Sequence, residues 1–164
     1  MQIRPIRASD RGEWLRMLRG LHPELPESAH TPSMDAFLAG EAHESLLPSA
    51  VFVAERPNGK LAGFLELSVR NYAEECAGST PYVESWYVDA DVREQGLGRG
   101  LMQAAEDWAR ANGYPEMASD ALLENDLSHR AHKAVGFTEV ERIVVFRKPL
   151  LAPADEDMTG TAGT

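Results

Sequence analysis

Apolar residues recur along the chain with two periods, and each change of period marks a new element. Residues 2–6 read as a short strand. Behind them Ser9 or Asp10 can cap a helix in which Trp14, Leu15, Leu18 and Leu21 return at helical spacing. The run from His22 to Pro32 breaks this helix, because Pro23, Pro26 and Pro32 remove backbone donors and restrict the residues before them. A second short helix is expected over residues 34–40, and a connection of that length can help to cover a site.

Residues 50–55 and 61–69 are apolar, partly alternating runs separated by Arg56-Pro57-Asn58-Gly59-Lys60, whose Asn-Gly pair predicts an antiparallel hairpin. Residues 82–88, Tyr-Val-Glu-Ser-Trp-Tyr-Val, form a strand of aromatic and β-branched residues with one carboxylate, Glu84, inside it. A helix follows in which Leu97, Leu101, Ala104, Ala105, Trp108 and Ala111 make an apolar stripe, and Asn112-Gly113 stops it. Residues 116–120 are a short strand, residues 125–135 a helix closed by Gly136, and residues 138–148 a long strand holding Ile143, Val144, Val145 and Phe146. The order is mixed α/β in one domain. From 150 to 164 the chain is expected to be a flexible tail, since it has too few apolar residues to pack.

Between the strand ending at Val88 and the helix starting near Leu97 lies Asp-Val-Arg-Glu-Gln-Gly-Leu-Gly-Arg-Gly, residues 91–100. Closely spaced glycines let backbone amides approach an anion, and the helix start adds free N–H groups and the positive end of its dipole. Arg93 and Arg99 add charge. The turn lacks the Gly-Lys-Ser/Thr ending of a triphosphate-binding loop. It also follows hairpin-like strands, whereas a dinucleotide fold would place it near its first strand.

Composition narrows the partners further. A formal net charge of -10 argues against nucleic acid, which needs a basic surface, and suits a cationic ligand. No apolar run approaches the roughly 20 residues of a membrane span, and the first residues lack a signal-peptide core, so a cytoplasmic protein is expected. The single cysteine, Cys76, has no thiolate or imidazole cluster in the sequence around it, so no metal is expected.

Taken as a set, Arg93, Gly96 and Gly98, the strand ending Tyr87-Val88, the strand ending at Asp120, the Asn125 helix and Gly136-Phe137 resemble the GNAT superfamily of acetyl-CoA-dependent N-acetyltransferases. The resemblance covers about residues 1–149. It implies a mixed, mostly antiparallel sheet with flanking helices and a splayed strand pair holding acetyl-CoA. It places the pantetheine arm against Trp86, Tyr87 and Val88, the pyrophosphate against Arg93, Glu94, Gln95, Gly96, Gly98, Arg99 and Gly100, and the thiol end near Asn125. Within the superfamily the segments around Glu84, residues 116–125 and residues 136–148 are most similar to aminoglycoside 6'-N-acetyltransferases. That likeness implies substrate-facing roles for His22, Tyr72, Glu84, Asp120 and Glu141, and a homodimer. His22 stands where an aromatic residue such as Trp is expected, and Phe146 where Tyr is typical.

Acetyl transfer needs a neutral amine aimed at a thioester carbonyl, a stabilised oxyanion and a protonated thiolate. Carboxylates bind an ammonium group and can take its proton, which makes Glu84 and then Asp120 the candidate catalytic groups. His132 stands where the superfamily often has a tyrosine acid, and an imidazole suits the same proton transfer. The competing readings are a GNAT enzyme of another amine, such as a polyamine or peptide N-terminus, and a non-catalytic acyl-CoA-binding module.

Overall fold

The computed structural model describes residues 1–41 and 48–150. Its elements run β1 (Gln2–Pro5), α1 (Arg11–Leu21), α2 (Thr31–Leu38), β2 (Ala50–Glu55), β3 (Leu61–Arg70), β4 (Thr80–Val88), α3 (Leu97–Ala111), β5 (Ala118–Ser119) and α4 (Asp126–Ala134). The strands form one sheet in chain order. β1 to β4 are antiparallel, and β5 joins β4 in parallel through Tyr82 opposite Ala118 and Val83 opposite Ser119. The mostly antiparallel sheet with flanking helices expected from the sequence is therefore the fold that forms.

Period-2 alternation distributes the core between the two faces. Val51, Val53 and Phe64 meet Trp14, Met17 and Leu18 of α1 and Met34 of α2 on one face. Phe52, Ala54, Leu65 and Leu67 meet Leu101, Met102 and Ala105 of α3 on the other. Trp14, expected in the core, is fully buried, and its indole N–H donates to Glu66 Oε1 at 2.7 Å. Truncating such a residue to alanine costs about 3–5 kcal/mol. The β2–β3 hairpin closes as expected, with Gly59 at φ 80° and the Lys60 N–H donating to Asn58 Oδ1.

Three sequence expectations change. Residues 138–148 do not form a strand: residues 138–150 carry no regular secondary structure, and Val144, Val145 and Phe146 are 74, 83 and 90 % exposed. A strand needs a ladder partner as well as a β-branched sequence, and β5, with only two paired residues, offers little edge. For the same reason the expected strand over residues 116–120 shrinks to Ala118–Ser119. In α3 the buried stripe contains Met102 and Ala109 in place of Ala111, which is exposed. From residue 151 onward the expected tail lies outside the described residues.

Candidate active site

β4 organises both halves of the site. At one end its outer edge loses β5 after Val83, so Ser85, Trp86, Tyr87 and Val88 border a wedge with no strand partner on that side among the described residues. The chain then enters the glycine turn through Asp89, whose carboxylate takes Arg16 at 2.9 Å and Arg56 at 3.1 Å, while Arg56 also holds Asp91 at 2.8 Å. These arginines keep the Asp89 carboxyl below the usual range despite its burial. The entry to the turn is thereby pinned to α1 and to the hairpin.

Within the turn Glu94 (φ 63°) and Gly96 (φ 81°) take left-handed backbone, which reverses the chain into α3. Gly96 sits at the N-cap without a side-chain cap, so the first amides of α3 have no intrahelical acceptor. A Cβ on Gly98 would stand 3.3 Å from the Trp86 ring, so a bare backbone lies against that indole. The Trp86 indole N–H is buried without an acceptor among the described residues. Gln95 and the two arginines are exposed around this cradle; Arg93 donates to Val88 O at 3.0 Å and Arg99 to Ala134 O at 2.6 Å. Open amides, two cations and an unfilled wedge fit a diphosphate with a long amide-bearing arm. Gly100 has other contacts: its N–H donates to Gly96 O, and a Cβ there would strike Ile3 Cδ1 at 2.4 Å, so it serves the packing of α3 on β1.

At the other half of β4, Glu66 pairs with Ser85 and Leu67 with Val83, which leaves Glu84 as the extra residue of a bulge. A bulge re-aims its side chain. Glu84 is directed onto the α1/α2 face of the sheet, where Ser68 Oγ–H and both arms of Arg70 meet its carboxylate, the latter at 2.9 and 2.7 Å. The Arg70 guanidinium also lies 3.4 Å over the Tyr82 ring. Asp120 faces the same group: burial, then the Asp120 charge, push the Tyr82 phenol up to about 12. Glu84, Arg70, Tyr82 and Asp120 thus form one cluster, with the two carboxylates exposed at its rim.

His132 projects from α4 between Trp86 and Phe137, with ring centroids 5.4 Å from each. Its Nδ1 lies 2.8 Å from Ser128 O, which can only accept, so a neutral ring carries its proton there and Nε2 accepts from Ser119 Oγ–H at 2.8 Å. Asn125 caps α4 by accepting from the Ser128 N–H. His22 ends α1 and stacks on the buried His30 at 6.0 Å, whose imidazole is shifted down by burial. Tyr72 is 68 % exposed after β3. Glu141 stands on the exposed segment after α4, and no hydrogen bond or ion pair joins it to the Glu84 cluster.

β4 thus carries a cradle suited to a phosphate at one end and a carboxylate cluster toward the other. Residues 14–137 match the family model described as Acetyltransferase (GNAT) family. The chain belongs to the GNAT acetyltransferase family. This GNAT chain is 44 % identical over 149 residues to an aminoglycoside N(6')-acetyltransferase type 1 from Klebsiella aerogenes, covering 90 % of the chain and 96 % of the relative. It is 34 % identical to one from Stenotrophomonas maltophilia, covering 90 % and 93 %. Among solved structures, AAC(6')-Iy in complex with the bisubstrate analogue CoA-S-monomethyl-acetylneamine superposes with a TM-score of 0.80 at 29 % identity, covering 90 % of this chain and 97 % of that one.

Sequence reasoning missed Arg70, Tyr82 and Ser68, as well as Glu66, the buried carboxyl that accepts from Trp14. The signal was present in β3: Phe64, Glu66, Ser68 and Arg70 share one face, which is apolar at Phe64 and polar from Glu66 to the strand end. What hid it was the bulge, which sets where Glu84 falls against that face. No three His, Cys, Asp or Glu residues converge on a metal position among the described residues, and no described helix is long and apolar enough to cross a membrane.

Proposed function

We propose that residues 1–149 form an enzyme that transfers the acetyl group of acetyl-CoA to the 6'-amine of an aminoglycoside. The observation that carries this is the bulge at Glu84, which directs a carboxylate out of the same strand, β4, whose far end leads into the glycine turn. The relatives' names support the acceptor, and the net charge of -10 suits a polycationic drug.

Glu84 and Asp120 hold the ammonium group and take its proton, directly or through water, as the amine becomes a nucleophile. Backbone at Trp86, Tyr87 and Val88 lines the pantetheine arm, and a Val88-region N–H polarises the thioester carbonyl. Arg93, Glu94, Gln95, Gly96, Gly98 and Arg99 surround the pyrophosphate, with Asn125 near the thiol end. His132, through Ser119, supplies the proton to the departing thiolate. Its neutral Nε2 accepts from Ser119, so this transfer requires the imidazolium form. His22 and Tyr72 border the drug. With acetyl-CoA as the donor, the enzyme works in the cytoplasm and protects its host from the drug.

The direct test is thiol release from acetyl-CoA with tobramycin or kanamycin, and expression in a sensitive bacterium should raise the inhibitory drug concentration. No drug-dependent thiol release at any practical enzyme concentration sinks the reading. The protein also works as a homodimer: Val144, Val145 and Phe146 form an exposed apolar stretch that a second copy can cover. Sedimentation should give a dimer for the parent chain and a shift toward monomer for Val145→Asp; a monomeric parent excludes it.

A further inference from the structure

β3 ends in Arg70, and its guanidinium lies between the Glu84 carboxylate and the Tyr82 ring, within the field of Asp120. The two Glu84 oxygens receive Nε–H and one terminal N–H, a two-pronged contact of 2.9 and 2.7 Å. The flat face of the group rests 3.4 Å over the Tyr82 ring, and the Asp120 charge acts on both Arg70 and Tyr82. A carboxylate on one side, an aromatic face on another and a second carboxylate nearby are the surroundings that organic cations select. In the free enzyme the cation seated there belongs to the protein itself.

Arg70 is open to solvent on one side: its side chain is 34 % exposed, and among the described residues its hydrogen bonds run to Glu84 alone. Arg4 provides the contrast: 7 % exposed, it spans Asp10, Glu55 and the Pro5 carbonyl and is locked on every side. An incoming cation that pairs with Glu84 and rests on the Tyr82 ring replaces the contacts that Arg70 gives up, so the exchange leaves no carboxylate unpaired.

We infer that Arg70 is a displaceable internal cation, occupying the ammonium seat of the acceptor site and leaving it by exchange when an amine substrate enters. This rests on the acceptor half of the reading above. The device keeps Glu84 aimed while the site is empty. It also sets a threshold for specificity, because every substrate must outcompete a cation that is already in place. An amine with several positive charges clears that threshold more readily than one with a single charge.

The test compares the parent full-length protein with Arg70→Ala and Arg70→Gln in the thiol-release assay. Emptying the seat should lower the KM for tobramycin by about two- to fivefold, the scale of one exposed ion pair, while the KM for acetyl-CoA stays unchanged. Methylguanidinium should refill the seat, inhibiting both variants competitively against tobramycin at concentrations that leave the parent unaffected. Calorimetric binding of methylguanidinium to Arg70→Ala, absent in the parent and abolished in Arg70→Ala/Glu84→Gln, reads the same seat without any acceptor turnover. That arm separates failure of the drug reading from failure of this one. An unchanged or raised tobramycin KM in both variants, or equal methylguanidinium binding by parent and variant, overturns the proposal and leaves Arg70 as a fixed brace for Glu84.

Discussion

The two ends of β4 are built by opposite means. The cradle after Val88 is made of backbone: left-handed Glu94 and Gly96, a bare Gly98 against Trp86, and the open amides that begin α3. The cluster at Glu84 is made of side chains: a carboxylate turned out by a bulge, held by Arg70 and Ser68, with Tyr82 and Asp120 alongside. In the proposed reading the backbone cradle takes one invariant group, the diphosphate of the donor. A side-chain cluster can be altered one residue at a time, which is how one fold accepts different amines.

The sharpest way to divide the two ends is Glu84→Gln. We expect kcat/KM for tobramycin to fall about 100-fold or more, the usual scale for losing a positioned base, while acetyl-CoA affinity measured by calorimetry stays within about twofold. Equal losses on both substrates would falsify the separation of the two ends.

A second probe asks whether the buried carboxyl beneath the cluster is carried as a neutral acid. Burial raises Glu66 from 4.5 to about 7. The folded chain therefore keeps a proton that the unfolded chain releases, and stability falls as pH rises between these two values and then levels off. The drop is about 3 kcal/mol, and Glu66→Gln should remove most of it in urea unfolding compared at about pH 5 and about pH 7.5. A parent protein with equal stability at both pH values would mean that Glu66 is ionised in the fold.

The complementary break is Gly98→Val. The added side chain meets Trp86 and crowds the amide face. The acetyl-CoA KM should rise about tenfold, near 1.4 kcal/mol, with the tobramycin KM little changed. An unaffected acetyl-CoA KM would place the diphosphate elsewhere. The smallest effect is expected from Asn125→Ala, which removes the cap that accepts from Ser128 and costs about 1 kcal/mol in thermal or urea unfolding. If stability is intact but the acetyl-CoA KM rises, Asn125 acts on the cofactor more than on the helix.

Where the sequence was legible, the physics was local. The Asn58-Gly59 hairpin, the Trp14 helix and the turn from Gly96 into α3 each depend on residues within a few positions of one another. The stretch over residues 138–148 misled because β-branched residues state a preference for strand without supplying an edge to pair with. Glu84 was visible as an isolated carboxylate in an apolar run. Its partner Arg70 lies 14 residues away on another strand, and no spacing rule joins the two.

By itself the sequence determined the alternation that builds β2, β3 and β4 and the glycine turn suited to an anion, because these follow from backbone preferences and short-range spacing; it also carried the motifs by which the chain resembles its family. Tertiary structure alone decided that a one-residue bulge turns Glu84 onto the α1/α2 face and into the grip of Arg70. It also decided that residues 138–150 stand without a ladder in the single chain. Strand register and edge availability are properties of how distant segments meet, and only the folded sheet fixes them.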